Sequence, residues 1–82
     1  MDFNSFDLIL GDFNMNGFEE DPLLSRVMSN YKLMVDFPTH LDGKMLDHIY
    51  VHKDLLDIFR FRTIRKCVNI SDHDAIKVNI TF

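Results

Sequence analysis

Eighty-two residues with 46% hydrophobic content, three Gly and two Pro describe one small folded domain, and exclude a second domain and a disordered tail. A formal net charge of −4 argues against a generally basic nucleic-acid binder, and the single cysteine, Cys67, excludes an internal disulfide. The longest aliphatic run near the start, Leu8-Ile9-Leu10, is too short for a signal peptide or a membrane span, so an intracellular protein without a membrane is expected.

Phe6 to Leu10 reads as a short buried strand stopped by Gly11, with a turn from Gly11 to Gly17. Asp21 followed by Pro22 has the form of an N-cap with proline at the first helical position. Leu23, Leu24, Val27, Met28 and Tyr31 then recur at helical spacing, which predicts an amphipathic helix over 22–31. Leu33 to Phe37 reads as a strand halted by Pro38, because proline cannot donate to a ladder and pushes its predecessor toward extended geometry. A loop runs through Gly43, Leu46 to Val51 form the next strand, and His52 to Asp57 a helical turn.

Ile58 to Ile64 is predicted as a strand in which Phe59, Phe61 and Thr63 oppose Arg60, Arg62 and Ile64. The closing "AIKVNITF" alternates, with Ile76, Val78, Ile80 and Phe82 on one face. Five strands and one helix make an α/β (α+β) chain with more half-buried sheet than one helix can cover. The pattern predicts a piece of a larger sandwich.

Charge is uneven. Asp2, Asp7, Asp12, Glu19, Glu20 and Asp21 crowd a stretch with no Lys or Arg, while Arg60, Arg62, Arg65 and Lys66 cluster later. The first suits a cation. The second suits a phosphate backbone or the guarded edge of a sheet, and the edge is the slightly better reading.

Three polar clusters fall at strand ends, where folds place functional groups: Asp12 with Asn14, Asp47 with His48, and Asp72-His73-Asp74. Each alone is an ordinary turn, strand histidine or cap. Together they are a hydrolytic set. Cleaving a phosphodiester needs an aligned and deprotonated water, a donor for the non-bridging oxygens, and positive charge where negative charge develops. Asp47 could hydrogen-bond a histidine ring nitrogen, set its tautomer and keep it charged near neutral pH. A zinc site built from His40, His48 and His52 is disfavoured: four residues apart on a strand, His48 and His52 would stand about 13 Å apart. Surface histidines are expected. Cys67, beside Arg65 and Lys66, is expected to be a structural thiol.

"LILGDFN", "FPTH", "LDHIYV" and "SDHDAI", in that order, resemble the C-terminal signature blocks of the endonuclease/exonuclease/phosphatase superfamily, the DNase I-like metal-dependent phosphodiesterases. "VDFPTHLDGKMLDHIYV" is especially similar to endonuclease-like domains carried by retroelements and other mobile elements. The resemblance implies the C-terminal part of a two-sheet sandwich flanked by helices. This chain would supply about one sheet with its helix, and the N-terminal half would lie upstream.

By the same resemblance, Asp12 orients or activates the attacking water, Asn14 hydrogen-bonds the scissile phosphate, and Asp47 pairs with the catalytic histidine, His73. Asp72 contributes to metal binding or to the site's hydrogen bonds, and Thr39 contacts substrate. The implied cofactor is Mg²⁺ or Mn²⁺, held mainly by a glutamate of the absent half. Glu19 and Glu20 lie on the wrong side of the motif to replace it, so the cofactor is expected only with the complete domain. The implied activity is endonucleolytic cleavage of DNA once the upstream half is present, with a nuclear setting for a mobile-element product. The alternative is an inactive remnant or interaction module.

Overall fold

The computed structural model describes residues 7–66 and 71–82. Phe6, expected to open the first strand, and Cys67 lie outside the described residues.

The first sheet is antiparallel and has the order β1 (Leu8–Asp12), β3 (Asp47–His52), β2 (Tyr31–Leu33). Strand β3 is central because its run of buried side chains from His48 to Val51 needs cover on both faces. Alternation then divides the core. Tyr50 packs with Met28 and Tyr31, joined by Ile9, Phe13 and Leu24. Its neighbour Ile49 points the other way, to Val35 and Met45, with Ile76 and Val78 closing over them.

Ile76 and Val78 belong to β5 (Ala75–Thr81), which pairs with β4 (Arg60–Lys66) as a separate antiparallel ribbon. The described residues therefore make a small α+β domain with two antiparallel sheets, where one sheet and its helix were expected. The ribbon is pinned to the first sheet by the Thr63 hydroxyl, which donates to Met34 O at 2.6 Å. The expected single face of β5 is only half covered: Ile76 and Val78 are packed, whereas Ile80 is half exposed and Phe82 is 95% exposed.

Local boundaries shift for identifiable reasons. Helix α1 spans Pro22–Val27, capped by the Asp21 carboxylate, which accepts from Leu24 N at 3.0 Å. It stops short of the expected residue 31 because Tyr31 joins the ladder to His52, and a residue cannot serve helix and strand at once. Met28 and Tyr31 still reach the same core. Strand β2 starts and ends earlier than expected, since Tyr31↔His52 and Leu33↔Tyr50 set its register and the Met34 carbonyl then turns to Thr63. A 3₁₀ turn fills Lys53–Asp57. Ile58 N and Phe59 N donate back to Leu55 O, which delays β4 to Arg60. No helix among the described residues is long and apolar enough to cross a membrane.

Candidate active site

Asp12 and Asp47 are direct partners at the ends of β1 and β3. Two like charges facing each other across a ladder are unfavourable without a neighbouring cation. His73 supplies one. Its Nδ1 lies 2.7 Å from Asp47 Oδ2, and its Nε2 lies 3.9 Å from Asp12 Oδ2. A ring nitrogen facing a carboxylate at that distance carries the proton, so Asp47 sets the orientation of the ring and leaves Nε2 toward Asp12. The hydrogen bond to Asp47, followed by the charges of Asp47, Asp12 and Asp72, raises the His73 pKa against the opposing effect of burial.

His73 arrives there by backbone pairing between two loops. Leu41 N donates to Asp72 O at 2.9 Å and Asp74 N to Thr39 O at 2.7 Å, which sets His40 opposite His73 as an isolated bridge. Ser71 Oγ accepts from His73 N at 3.1 Å and shapes the turn. On the far side, the Arg65 guanidinium donates to the nearly buried Asp74 carboxylate, tying β4 to the same loop. Arg65 therefore holds the site's frame, while Arg60 and Arg62 stay exposed on the opposite face of the strand.

Thr39, expected to contact substrate, is 0% exposed. Its hydroxyl oxygen accepts from Leu46 N and Asp47 N, both at 3.1 Å, so it aims the start of β3 and with it the Asp47 side chain. With no exposed surface, its contact with the site runs through Asp47.

Asn14 follows Asp12 in a left-handed conformation, φ 52°, and its N–H donates to Asp12 Oδ1 at 2.8 Å. That local turn suits an asparagine. It leaves Asp12 Oδ2 as the oxygen facing His73. Asn14 thus joins the cluster through its backbone, and its side chain is exposed beside the loop that carries His40.

His48 departs from the expected surface histidine, being 1% exposed. Its Nε2 lies 2.9 Å from Met15 O and 3.0 Å from Met45 O, and Tyr50 OH is 3.4 Å from Nδ1. Two carbonyls at Nε2 require the proton there, so the ring is a satisfied core group that anchors the turn after Asp12. Gly17 passes against it: a Cβ at Gly17 would stand 2.9 Å from His48 Nε2 and closer still to the Met45 side chain.

His40 is the residue that sequence reading missed. Its ring meets His73 edge-on with centroids 4.9 Å apart. Nε2 lies 3.2 Å from Asp72 Oδ2 and Nδ1 lies 2.9 Å from Asp42 Oδ1. The signal was available, since His40 closes the "FPTH" block.

Two groups of possible ligands result, Asp12 with Asp47 and His73, and His40 with Asp72 and His73. Neither fits Mg²⁺ by itself. That ion prefers oxygen donors in octahedral array, and each group includes an imidazole. Asp47 Oδ2 is held by His73, and Asp12 Oδ1 by Asn14. The carboxylate oxygens outside these contacts are Asp12 Oδ2, Asp47 Oδ1 and Asp72 Oδ1, the Asp72 Oδ2 facing His40.

A comparison with known proteins returns no match to a protein-family model, a curated protein or a solved structure.

Proposed function

We propose that this chain carries the Asp–His portion of a phosphodiester-hydrolysing site of the DNase I-like kind, with DNA as substrate. The observation that carries the reading is the convergence of Asp12, Asp47 and His73, residues of three separate signature blocks, on one point. In this reading Asp12 orients the attacking water and takes its proton as the oxygen–phosphorus bond forms. His73, held as imidazolium by Asp47, faces the phosphoryl oxygens, where negative charge grows in the transition state. The bond to the leaving oxygen then breaks, that oxygen takes up a proton from solvent water, and Asp12 returns the proton it accepted to solvent. Thr39 and Arg65 keep the loops aligned.

The donor set supports a further element of the proposal: the Mg²⁺-binding carboxylate comes from sequence outside these 82 residues, as in a domain completed by an upstream half.

The test is Mg²⁺-dependent cleavage of supercoiled plasmid by the 82-residue chain and by a longer chain that includes upstream sequence, each beside its His73→Ala variant. Activity confined to the longer, His73-containing protein supports the reading. Activity in neither overturns DNA as the substrate and favours an inactive remnant, an interaction module or a phosphodiester other than DNA.

A further inference from the structure

We propose that His40, Asp72 and His73 form a site for a borderline divalent transition ion of the Zn²⁺ class. This site shares Asp72 and His73 with the hydrolytic cluster described above, but binding of the ion is tested without reference to whether the chain hydrolyses phosphodiesters.

Three observations carry it. One ligand atom from each of the three residues lies within 4.8 Å of the other two. Two imidazoles and one carboxylate are a donor set that suits Zn²⁺, with a fourth position open to water.

The second observation concerns the outer partners. Metal-ligating histidines usually donate the other ring N–H to a carboxylate, which fixes the tautomer and aims the ligating nitrogen. His73 has this support, with Nδ1 on Asp47 Oδ2 at 2.7 Å, which leaves its Nε2 for the ion. His40 Nδ1 lies 2.9 Å from Asp42 Oδ1 and accepts from Asp42 N at 3.3 Å, so Asp42 holds that ring in place. His40 Nε2 already faces Asp72 Oδ2 at 3.2 Å, the residue whose carboxylate would complete the set.

The third is the frame. His40 and His73 are backbone partners in the bridge between their loops, and flanking hydrogen bonds from Leu41 and Asp74 hold that bridge. The two rings are therefore placed by main chain. Asp72, at 65% exposed, already turns its carboxylate to His40.

The ion would occupy His73 Nε2, the nitrogen that faces Asp12. On the functional reading given above, a bound transition ion and phosphodiester cleavage exclude each other.

The experiment is a calorimetric titration of the purified 82-residue chain with Zn²⁺, repeated with Co²⁺ to read the visible bands of a tetrahedral site. Wild-type protein is compared with His40→Ala, Asp72→Asn and His52→Ala, and circular dichroism checks that each variant is folded. The expected result is one ion per chain, at least tenfold weaker binding in His40→Ala and in Asp72→Asn, and unchanged binding in His52→Ala. Asp72→Asn alters an exposed side chain, so it keeps the test decisive if His40→Ala fails to fold. Absence of binding in the wild type, or a loss below tenfold in the folded ligand variants, overturns the proposal. Neither readout depends on nuclease activity, so failure here and failure of the hydrolytic reading are separable.

Discussion

His73 Nδ1 and Asp47 Oδ2 meet at 2.7 Å across 26 residues of chain, and this one contact governs the charge of the site. Asp47→Asn removes the largest of the effects that raise the His73 pKa. The expected outcome is a fall toward the ordinary histidine value of about 6.5, read from the ring proton shifts in an NMR titration.

The same contact gives stability a pH dependence with a definite sign. A histidine whose pKa is higher in the folded than in the unfolded state contributes stability that is fully present below the unfolded value. That contribution is lost as pH rises through the folded value. The destabilisation caused by Asp47→Asn is therefore largest just below the ordinary histidine pKa and shrinks on the alkaline side. Urea unfolding of both proteins at a series of pH values measures it, and a difference independent of pH would contradict the assignment.

Thr39→Val keeps the shape of the side chain and removes the oxygen that accepts from Leu46 N and Asp47 N. Leaving buried donors without a partner costs about 1–3 kcal/mol. The expected effect is a loss of stability of that size in urea unfolding, with a shift of the His73 ring signals because Asp47 is no longer aimed.

Gly17→Ala tests the close passage of the turn over His48. The new methyl would overlap Met45 and press on His48 Nε2, and overpacking of this kind costs about 1–3 kcal/mol. A lower thermal midpoint is expected. An unchanged midpoint would mean that the turn can lift away freely.

Asp21→Ala removes the carboxylate that caps α1 at Leu24 N. Loss of such a cap costs about 1 kcal/mol. Asp21→Asn retains an accepting oxygen, so it is expected to lose only a small part of that stability in the same unfolding measurement.

Much of the architecture is written locally. The order of strands and helix, the Asp21–Pro22 helix start, the alternation along β4 and the positions of the polar clusters follow from side-chain period, proline geometry and capping, which act over a few residues. Asp12, Asn14, Asp47, Asp72 and His73 are visible in the sequence because they interrupt apolar runs at strand ends.

Only the tertiary structure decided which of these groups meet and which chain segments cover each face. Alternation says that Ile49 and Tyr50 point apart, but not that β5 covers one and α1 with Tyr31 the other. The burial of Thr39 and His48, the end of α1 at Val27 and the placing of His40 against His73 depend on pairing between distant segments. The ladder from Tyr31 to His52 and the bridge from His40 to His73 take their backbone groups from residues far apart in sequence. Local propensity carries no record of such partners. They are selected by long-range burial and by the need to satisfy every buried donor and acceptor.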